Sequence, residues 1–486
     1  MVAKLFCGKP LNRKFYGFLS ILLIFSVIPA FTGCVPVGPN YIKMEPEAPE
    51  KWQSQLQRGL TPYPLNHETL AMWWTILNDE ILSSLEERAV KGSLDLKEAR
   101  ARVCEARARR GISQAGFFPL LDASSSAAHQ RTSKNSNTGD ESKFYDAGFD
   151  AGWELDIFGG IERLNETAQA NLDATIENFH DVLVSLLAEV ALNYVEVRTY
   201  QARLAVALAN VRSQEDTWRL NQSRYKAGII NELAVQQSLY NIQRTHSQIP
   251  ALQTGLAAAK NRIAVLLGQN PGSVHQELFK DMPIPVLPEN IAVGVPAETL
   301  RQRPDIRYAE RVLAARTAMI GQATAELYPK FSLSGTIGLE SLSPGDLLTF
   351  DSRKWSIGPG IVWNIFDAGA IRQNIKVQSA LQEQALIHYE TTVLRALEEV
   401  ENVLVAYVKE QCRCEFLTAA TVTSKRAYEL AMDQYNAGII EFTSVLDAQR
   451  SLQSFQDQLA QCRGAVTSNL IRLYKALGGG WNYTKS

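Results

Sequence analysis

The sequence predicts an α+β membrane protein with an internal tandem duplication, in which each chain supplies four strands to a β-barrel that only an oligomer can close. Two observations support this fold class. The same order of helices and strands occurs twice along the 486 residues, and each copy contains a β-hairpin whose apolar residues share one face. Long helices without Gly or Pro follow both hairpins, and their apolar residues have the spacing of a coiled coil.

A shift of 210 residues aligns the two copies. Residues 225–230 read Tyr-Lys-Ala-Gly-Ile-Ile and residues 435–440 read Tyr-Asn-Ala-Gly-Ile-Ile, which gives five identities in six positions. Gly111 likewise aligns with Gly321. Similarity between generic alanine-rich helices would not place Gly and Tyr in register, so the repeat reflects duplication of one structural unit.

The repeat defines the expected organisation of the chain. We expect a lipoprotein signal peptide at 1–33, a lipid-anchored N-terminal segment at 34–92, a first repeat at 93–270, a linker at 271–302, a second repeat at 303–478 and a C-terminal tail at 479–486. Each repeat contains a helix, a hairpin (117–158 or 327–366), a long helix, a turn near 228 or 438, and a second helix.

The N-terminus has the features of an export signal. A basic head at 4–14 precedes an apolar stretch at 15–29, which is too short for a permanent span. Phe-Thr-Gly-Cys at 31–34 resembles a bacterial lipobox, whose cysteine is acylated and becomes the new N-terminus. We therefore expect lipidation at Cys34; the alternative is an ordinary secreted protein with one unpaired cysteine.

Four cysteines remain in helical-looking sequence: Cys104, Cys412, Cys414 and Cys462. Cys412 and Cys414 would project about 200° apart on a helix, so they can neither bind one metal ion nor bond to each other. We therefore expect no disulfide framework, although the compartment would allow one.

The strand pairs alternate with period two. Over 145–157 apolar residues occupy one face, and the other face carries Asp146, Asp150, Glu154 and Asp156. The hairpin of the second copy repeats the alternation, with Trp355, Ile357 and Ile361 on its apolar face. Such a face suits either the core of a soluble sandwich or the lipid-facing side of a membrane barrel.

The number of strands decides between these alternatives. Two sheets of two strands make a poor sandwich, and four strands cannot close a barrel in lipid. Eight strands from a dimer would leave an interior filled by side chains, whereas twelve from a trimer leave a pore. We therefore expect a trimer whose barrel lumen is lined by Asp146, Asp150, Glu154 and Asp156, unless some of them pair with Arg131 or Lys134.

The long helices contain no Gly or Pro between Ile161 and Ala227, or between Ala370 and Ala437. About 65 residues at 1.5 Å each give a rod of roughly 100 Å. Apolar residues from Leu183 to Val211 recur at steps of four and three, which indicates a coiled-coil seam. A soluble helical bundle would share this spacing, but the position of the helices directly after barrel-like hairpins disfavours it.

Composition excludes several other classes. Lys+Arg 49 against Asp+Glu 51 gives a net charge of -2, so we expect no nucleic-acid partner. The six histidines are scattered, and neither a zinc-protease motif, a phosphate loop nor a Gly-x-Ser-x-Gly elbow occurs. We therefore expect no catalytic site, no cofactor and no metal site, and the chain is not an enzyme.

Several motifs together resemble the outer membrane factor family, the TolC-like channels, and within it the lipid-anchored OprM-like or NodT-type branch. The motifs are Val-Gly-Pro-Asn-Tyr at 37–41, Trp-Glu-Leu-Asp-Ile-Phe-Gly-Gly at 153–160, Arg-Gln-Arg-Pro-Asp-Ile at 301–306, Trp-Asn-Ile-Phe-Asp-Ala-Gly at 363–369, Leu-Asp-Ala-Gln-Arg-Ser-Leu at 446–452 and Tyr-Lys-Ala-Leu-Gly-Gly-Gly-Trp at 474–481. They span the mature chain in one order.

The resemblance implies a homotrimer in the outer membrane of a Gram-negative bacterium, lipid-anchored and extending into the periplasm. Its 12-stranded barrel would continue into a 12-helix coiled-coil tunnel, surrounded by an equatorial belt from parts of 42–72, 270–300 and the last residues. Such channels are passive exits, with an inner-membrane pump and a periplasmic adaptor as partners and outer-membrane lipid around the barrel.

The resemblance implies efflux of small toxic compounds or drugs, and six methionines disfavour a methionine relay for soft metals. One-step protein secretion and metal cation efflux remain alternatives. A non-conducting, lipid-anchored coiled-coil scaffold is the alternative from another class.

The functional end is expected at the periplasmic tip, where Gly228 and Gly438 allow tight turns between helices. By resemblance, Asp447 would form an acidic ring around the pore axis, and Arg450 and Tyr435 would help to hold the tip shut. Thr443 differs from the apolar residue that is common one turn earlier. Alternatively, Asp447 and Arg450 form only a local surface pair.

Overall fold

The computed structural model describes residues 36–45, 47–64, 66–135 and 139–481. The signal peptide expected at 1–33 and the lipidation site Cys34 lie outside these residues. Within the described ranges, no helix has an apolar segment long enough to cross a bilayer.

Helices make up most of the described chain. In chain order they are α1 (His67–Ala71), α2 (Glu80–Gly92), α3 (Leu94–Ala115), α4 (Gly160–Lys226), α5 (Glu232–Leu266), α6 (Pro296–Gln302), α7 (Pro304–Ala325), α8 (Ala370–Asn436) and α9 (Phe442–Ala476). The strands are β1 (Leu60–Thr61), β2 (Leu120–Arg131), β3 (Glu141–Leu155), β4 (Ile291–Ala292), β5 (Lys330–Ser341) and β6 (Arg353–Val362). Trp73–Leu77 and Phe350–Ser352 form short 3₁₀ helices.

The 210-residue shift of the sequence reappears in the element boundaries. The pairs α3 and α7, α4 and α8, α5 and α9, and β2 and β5 each begin and end at equivalent positions. The two long helices, α4 and α8, contain 67 residues each. The predicted duplication and the predicted long helices are therefore confirmed.

One antiparallel sheet contains the four longer strands in the order β2-β3-β5-β6. It lies in a compact unit that comprises, among the described residues, 36–43, 106–135, 139–172 and 311–386. The pairing of β3 with β5 joins the hairpins of the two repeats, whereas β2 and β6 each have a strand neighbour on one side only within the described chain.

The two faces of the sheet differ as predicted. Phe149 lies opposite Ile337, which lies opposite Trp355 on the next strand. These side chains are 53%, 64% and 76% exposed, so an apolar row crosses three strands at the surface. In the adjacent row, Thr336 and Ser356 share a hydrogen bond of 2.6 Å between their hydroxyl oxygens.

A second compact unit comprises, among the described residues, 44–45, 47–64, 66–105, 173–310 and 387–481. Its core forms where residues 47–64, 66–92 and 271–302, here called the belt, pack against the long helices. Leu85 of the belt joins Tyr194 and Leu470 in one buried cluster. The short strands β1 and β4 pair in parallel and connect the two parts of the belt.

The coiled-coil seam is present in α4, with one exception. Val190 and Tyr194 are fully buried. Gln201, which interrupts the apolar series, is also buried, and its Nε2 donates to the Leu278 carbonyl of the belt at 3.0 Å. The expected seam residue Leu208 is 41% exposed instead, because the belt and the neighbouring helices do not cover its face of α4.

The expectation of no disulfide is wrong. Cys414 of α8 and Cys462 of α9 form a disulfide, with their Cα atoms 5.7 Å apart. Cys412 is free, as expected for a residue that projects to another side of α8, and so is Cys104. Spacing along one helix excludes only bonds within that helix, and the partner comes from the antiparallel neighbour.

Candidate gate and channel surfaces

The turns near 228 and 438 share one backbone geometry. Gly228 and Gly438 have φ values of 73° and 74°. The amide of Ile229 donates to the Arg224 carbonyl at 2.9 Å, and the amide of Gly228 donates to the Tyr225 carbonyl at 2.9 Å. This is the Schellman arrangement, in which a left-handed residue ends a helix, and Gly adopts it without a steric cost from Cβ.

Tyr435 connects the two repeats beside these turns. Its hydroxyl donates to the Asn221 side-chain oxygen at 2.8 Å in a buried setting. Arg224 donates to the Tyr435 carbonyl at 3.1 Å, and its guanidinium carbon lies 4.8 Å from the Tyr435 ring centroid. The ring also contacts Phe442. The end of α8 is thereby fixed to the end of α4.

Arg450 makes a second connection between the repeats. It donates to the Tyr240 hydroxyl of α5, and its guanidinium carbon lies 5.6 Å from that ring centroid. Its other amino group lies 3.5 Å from an Asp447 carboxylate oxygen. Asp447 nevertheless keeps 77% of its side chain exposed, and Thr443, one turn earlier, is exposed on the same face.

A buried row of polar side chains continues the contact between α5 and α9. The Asn241 amide donates to the Gln449 side-chain oxygen at 3.1 Å, and the Gln453 amide donates to the Thr245 hydroxyl at 3.0 Å. No sequence motif singled out these residues or Asn221. Their signal is present, since amides and hydroxyls recur every four residues on otherwise apolar helix faces.

The acidic residues expected in the lumen have different environments. Asp146 contacts Lys354 of β6, which also lies 3.3 Å from Glu340, so its partner is not Arg131 or Lys134. Asp150 accepts a hydrogen bond from Ser124 at 3.1 Å, and Glu154 is exposed.

Asp156 lies beyond the end of β3 and accepts from the Glu162 amide at 2.7 Å, so it caps the first turn of α4. Asp367 caps α8 in the same way, accepting from the amides of Ile371 and Gly369. These backbone hydrogen bonds lower the pKa of Asp367 below its usual value. An aspartate thus stabilises both strand-to-helix junctions.

The segment that follows Cys34 is held by Arg163, another residue that sequence analysis missed. The Arg163 side chain is 2% exposed. Its Nε donates to the Val37 carbonyl at 3.1 Å, and an amino group donates to the Asn40 side-chain oxygen at 2.7 Å. A Cβ on Gly321 of α7 would lie 2.8 Å from the Val37 oxygen. Glycine at this position therefore leaves room for the N-terminal segment to cross close to α7.

Known proteins share this architecture. The family model described as "Outer membrane efflux protein" matches residues 85–269 and 295–479, one match for each repeat. Nodulation protein T of Rhizobium leguminosarum bv. trifolii is 32% identical over 464 residues, covering 93% of this chain and 95% of the relative. The cation efflux system protein CusC of Escherichia coli O6:H1 is 30% identical over 469 residues, covering 95% and 98%.

The solved structures agree with the sequence relatives. The outer-membrane channel OprN superimposes with a TM-score of 0.87 at 34% identity, covering 92% of this chain and 100% of OprN. A CusC structure gives a TM-score of 0.80 at 27% identity, covering 92% and 100%. The expected fold and the expected channel role are confirmed, and the chain belongs to the outer membrane efflux protein family.

Proposed function

We propose that this outer-membrane efflux channel works as a homotrimer. Three copies of the sheet would close a 12-stranded barrel, and α4, α5, α8 and α9 of each copy would build a 12-helix periplasmic tunnel. The observation that carries the proposal is the exposed apolar row of Phe149, Ile337 and Trp355 on a sheet whose outer strands have no further strand beside them in the described part of the chain. Neither feature is stable in water, and lipid tolerates no open edge.

The channel is a passive exit in this proposal. Its sequence has no phosphate-binding loop that could couple nucleotide hydrolysis to transport. An inner-membrane pump would supply the energy, and a periplasmic adaptor would join the pump to the tip. Members of the family work in such assemblies.

The tip would act as the gate. Tyr435 and Arg450 each bind a residue of the other repeat, which favours a closed arrangement of the four helix ends. Asp447 is exposed next to these contacts, and three-fold symmetry would turn it into a ring of three carboxylates. Such a ring attracts cations and raises the barrier for anions.

Acylation of Cys34 would anchor each chain in the inner leaflet of the outer membrane. Arg163 supports this role, because it fixes residues 36–40 against the junction between β3 and α4. The acylated N-terminus would therefore emerge from the protein close to the junction between the barrel strands and the long helices.

The cargo is proposed to be small toxic organic compounds. Relatives of similar identity are named for pyoverdine export and for solvent efflux. Cation efflux is the second candidate, since CusC is also 30% identical over nearly the whole chain. Protein secretion is a further alternative, without a relative among these to support it.

Planar bilayers provide the main test. The acylated protein should form trimers by native mass spectrometry, show β-structure in detergent, and give cation-selective single-channel steps. A non-conducting scaffold would give helical signal without steps. A monomer that never enters bilayers would contradict the channel proposal.

Deletion of the gene and exposure to organic toxicants or copper and silver salts would separate the cargo candidates. Increased sensitivity to the organic compounds alone is the expected result. Increased sensitivity to the metal salts alone would favour cation efflux instead.

A further inference from the structure

The disulfide between α8 and α9 lies at the level where the belt holds these helices. Arg58 of the belt donates to the Glu415 carboxylate at 3.0 Å, one residue after Cys414. On α9, the Thr467 hydroxyl donates to the Pro285 carbonyl of the belt at 3.4 Å, five residues after Cys462. The bond therefore marks the start of the tip-side part of this helical hairpin.

The first repeat shows what stands at the same place without a covalent bond. At a shift of 210 residues, Cys414 and Cys462 correspond to Leu204 and Leu252. These leucines belong to one apolar cluster between α4 and α5, together with Ile249. Among the described residues, apolar packing holds the first hairpin at this level without a disulfide, so the bond in the second hairpin is an additional restraint on the same backbone.

The bond suits an oxidising compartment. In its formation the two S–H bonds break and one S–S bond forms, and two electrons and two protons pass to the disulfide of a thiol–disulfide oxidoreductase, which leaves as a dithiol. Cys462 is fully buried once α9 has packed. The exchange must therefore precede packing, and burial then protects the bond from soluble reductants.

We propose that the mature protein carries this disulfide and that it acts as a fixed pivot. The helices α8 and α9 remain side by side at 414 and 462, and a change at the gate moves only the tip-side residues between them. This segment, residues 415–461, contains Tyr435, Gly438, Asp447 and Arg450. The role rests on the gate proposed above, whereas the presence of the bond does not.

The first experiment counts thiols in the mature protein purified from membranes, from which Cys7 has been removed with the signal peptide and in which Cys34 is blocked by acylation. After denaturation, a maleimide-linked polymer should add two tags per chain, at Cys104 and Cys412, and four tags after treatment with dithiothreitol. Four tags without reductant would show that the bond is absent and would overturn the proposal.

The second experiment compares gating in planar bilayers. The double variant C414L/C462L gives the second repeat the leucine pair that the first repeat has at these positions. The helices α8 and α9 should therefore still pack together, and the protein should still form trimers. We expect a several-fold higher open probability than in the wild type, because the hairpin can now separate along a greater length. Wild type that is reduced with dithiothreitol while denatured and then refolded in the presence of the reductant should show the same increase, and the same treatment should leave the open probability of the variant unchanged.

Equal open probabilities in the oxidised wild type, the reduced wild type and C414L/C462L would overturn the role as a pivot. The reverse pair L204C/L252C serves as a further check, because an added bond in the first hairpin should lower the open probability. If the oxidised wild type inserts but never conducts, the channel proposal fails, while the thiol count still reports on the bond.

Discussion

The two repeats share their backbone but not their contacts. Four pairs of elements have equivalent boundaries at a shift of 210 residues, yet equivalent side chains do different things. Tyr435 is buried against Asn221, whereas its counterpart Tyr225 is 44% exposed. A covalent bond in the second hairpin stands where leucines pack in the first.

The duplicated unit has therefore kept its element boundaries while its side-chain contacts have changed. Helix and strand boundaries depend on periodicity and on breakers, which both copies keep. The partner of a given side chain depends on what lies across from it, and in a single chain the two repeats do not have the same neighbours. The pairs Gly321 and Gly111, Tyr435 and Tyr225, and Asp447 and Gln237 therefore provide matched tests.

The largest effect is expected at Gly321. In G321A the new methyl group would lie 2.8 Å from both the Val37 oxygen and the Arg163 side chain, so the N-terminal segment must move. We expect destabilisation by about 1–3 kcal/mol, seen as a lower thermal midpoint of the purified trimer. A Cβ added at Gly111 would meet no atom within 4 Å. The control G111A should therefore leave the stability unchanged or raise it slightly. Equal midpoints for the two variants would contradict the close crossing.

An intermediate effect is expected at Tyr435. Y435F removes the hydroxyl that donates to Asn221 and leaves a buried amide oxygen without that donor, which costs about 1–2 kcal/mol. The tip should leak, which single-channel recording would detect as more frequent openings, and the thermal midpoint should fall. Y225F should match the wild type in both measurements. Leakage in Y225F but not in Y435F would contradict a closing contact at Tyr435, because it would assign that contact to the first repeat.

The smallest effect on stability is expected at Asp447. D447N keeps the shape of the side chain and removes only an exposed pair with Arg450, worth a few tenths of a kcal/mol. The thermal midpoint should stay within error, while the cation selectivity in a salt gradient should fall. Q237E, at the equivalent position of the first repeat, should raise it if that helix end also faces the pore. Unchanged reversal potentials in D447N would favour the local surface pair over a ring.

Much of the fold could be predicted from the sequence, because it depends on local signals that occur twice. The alternation in the hairpins and the long stretches without Gly or Pro predicted the sheet and both long helices. The candidate site was only partly predictable. Tyr435 and Arg450 were identified through resemblance. Their partners Asn221 and Tyr240 lie about 210 residues away along the chain. The spacing of residues within one helix does not indicate which face of another helix they will contact.

The repeat, the order and length of the main elements, and the apolar face of the sheet can all be read from the amino-acid order, since each depends on residues that are close together along the chain. Three features depend instead on how the elements pack: the bond between Cys414 and Cys462, the contacts of Arg163 with residues 36–40, and the exposure of Leu208. These contacts join side chains from separate elements. Their distances depend on how the elements pack, and no spacing along the chain records that packing.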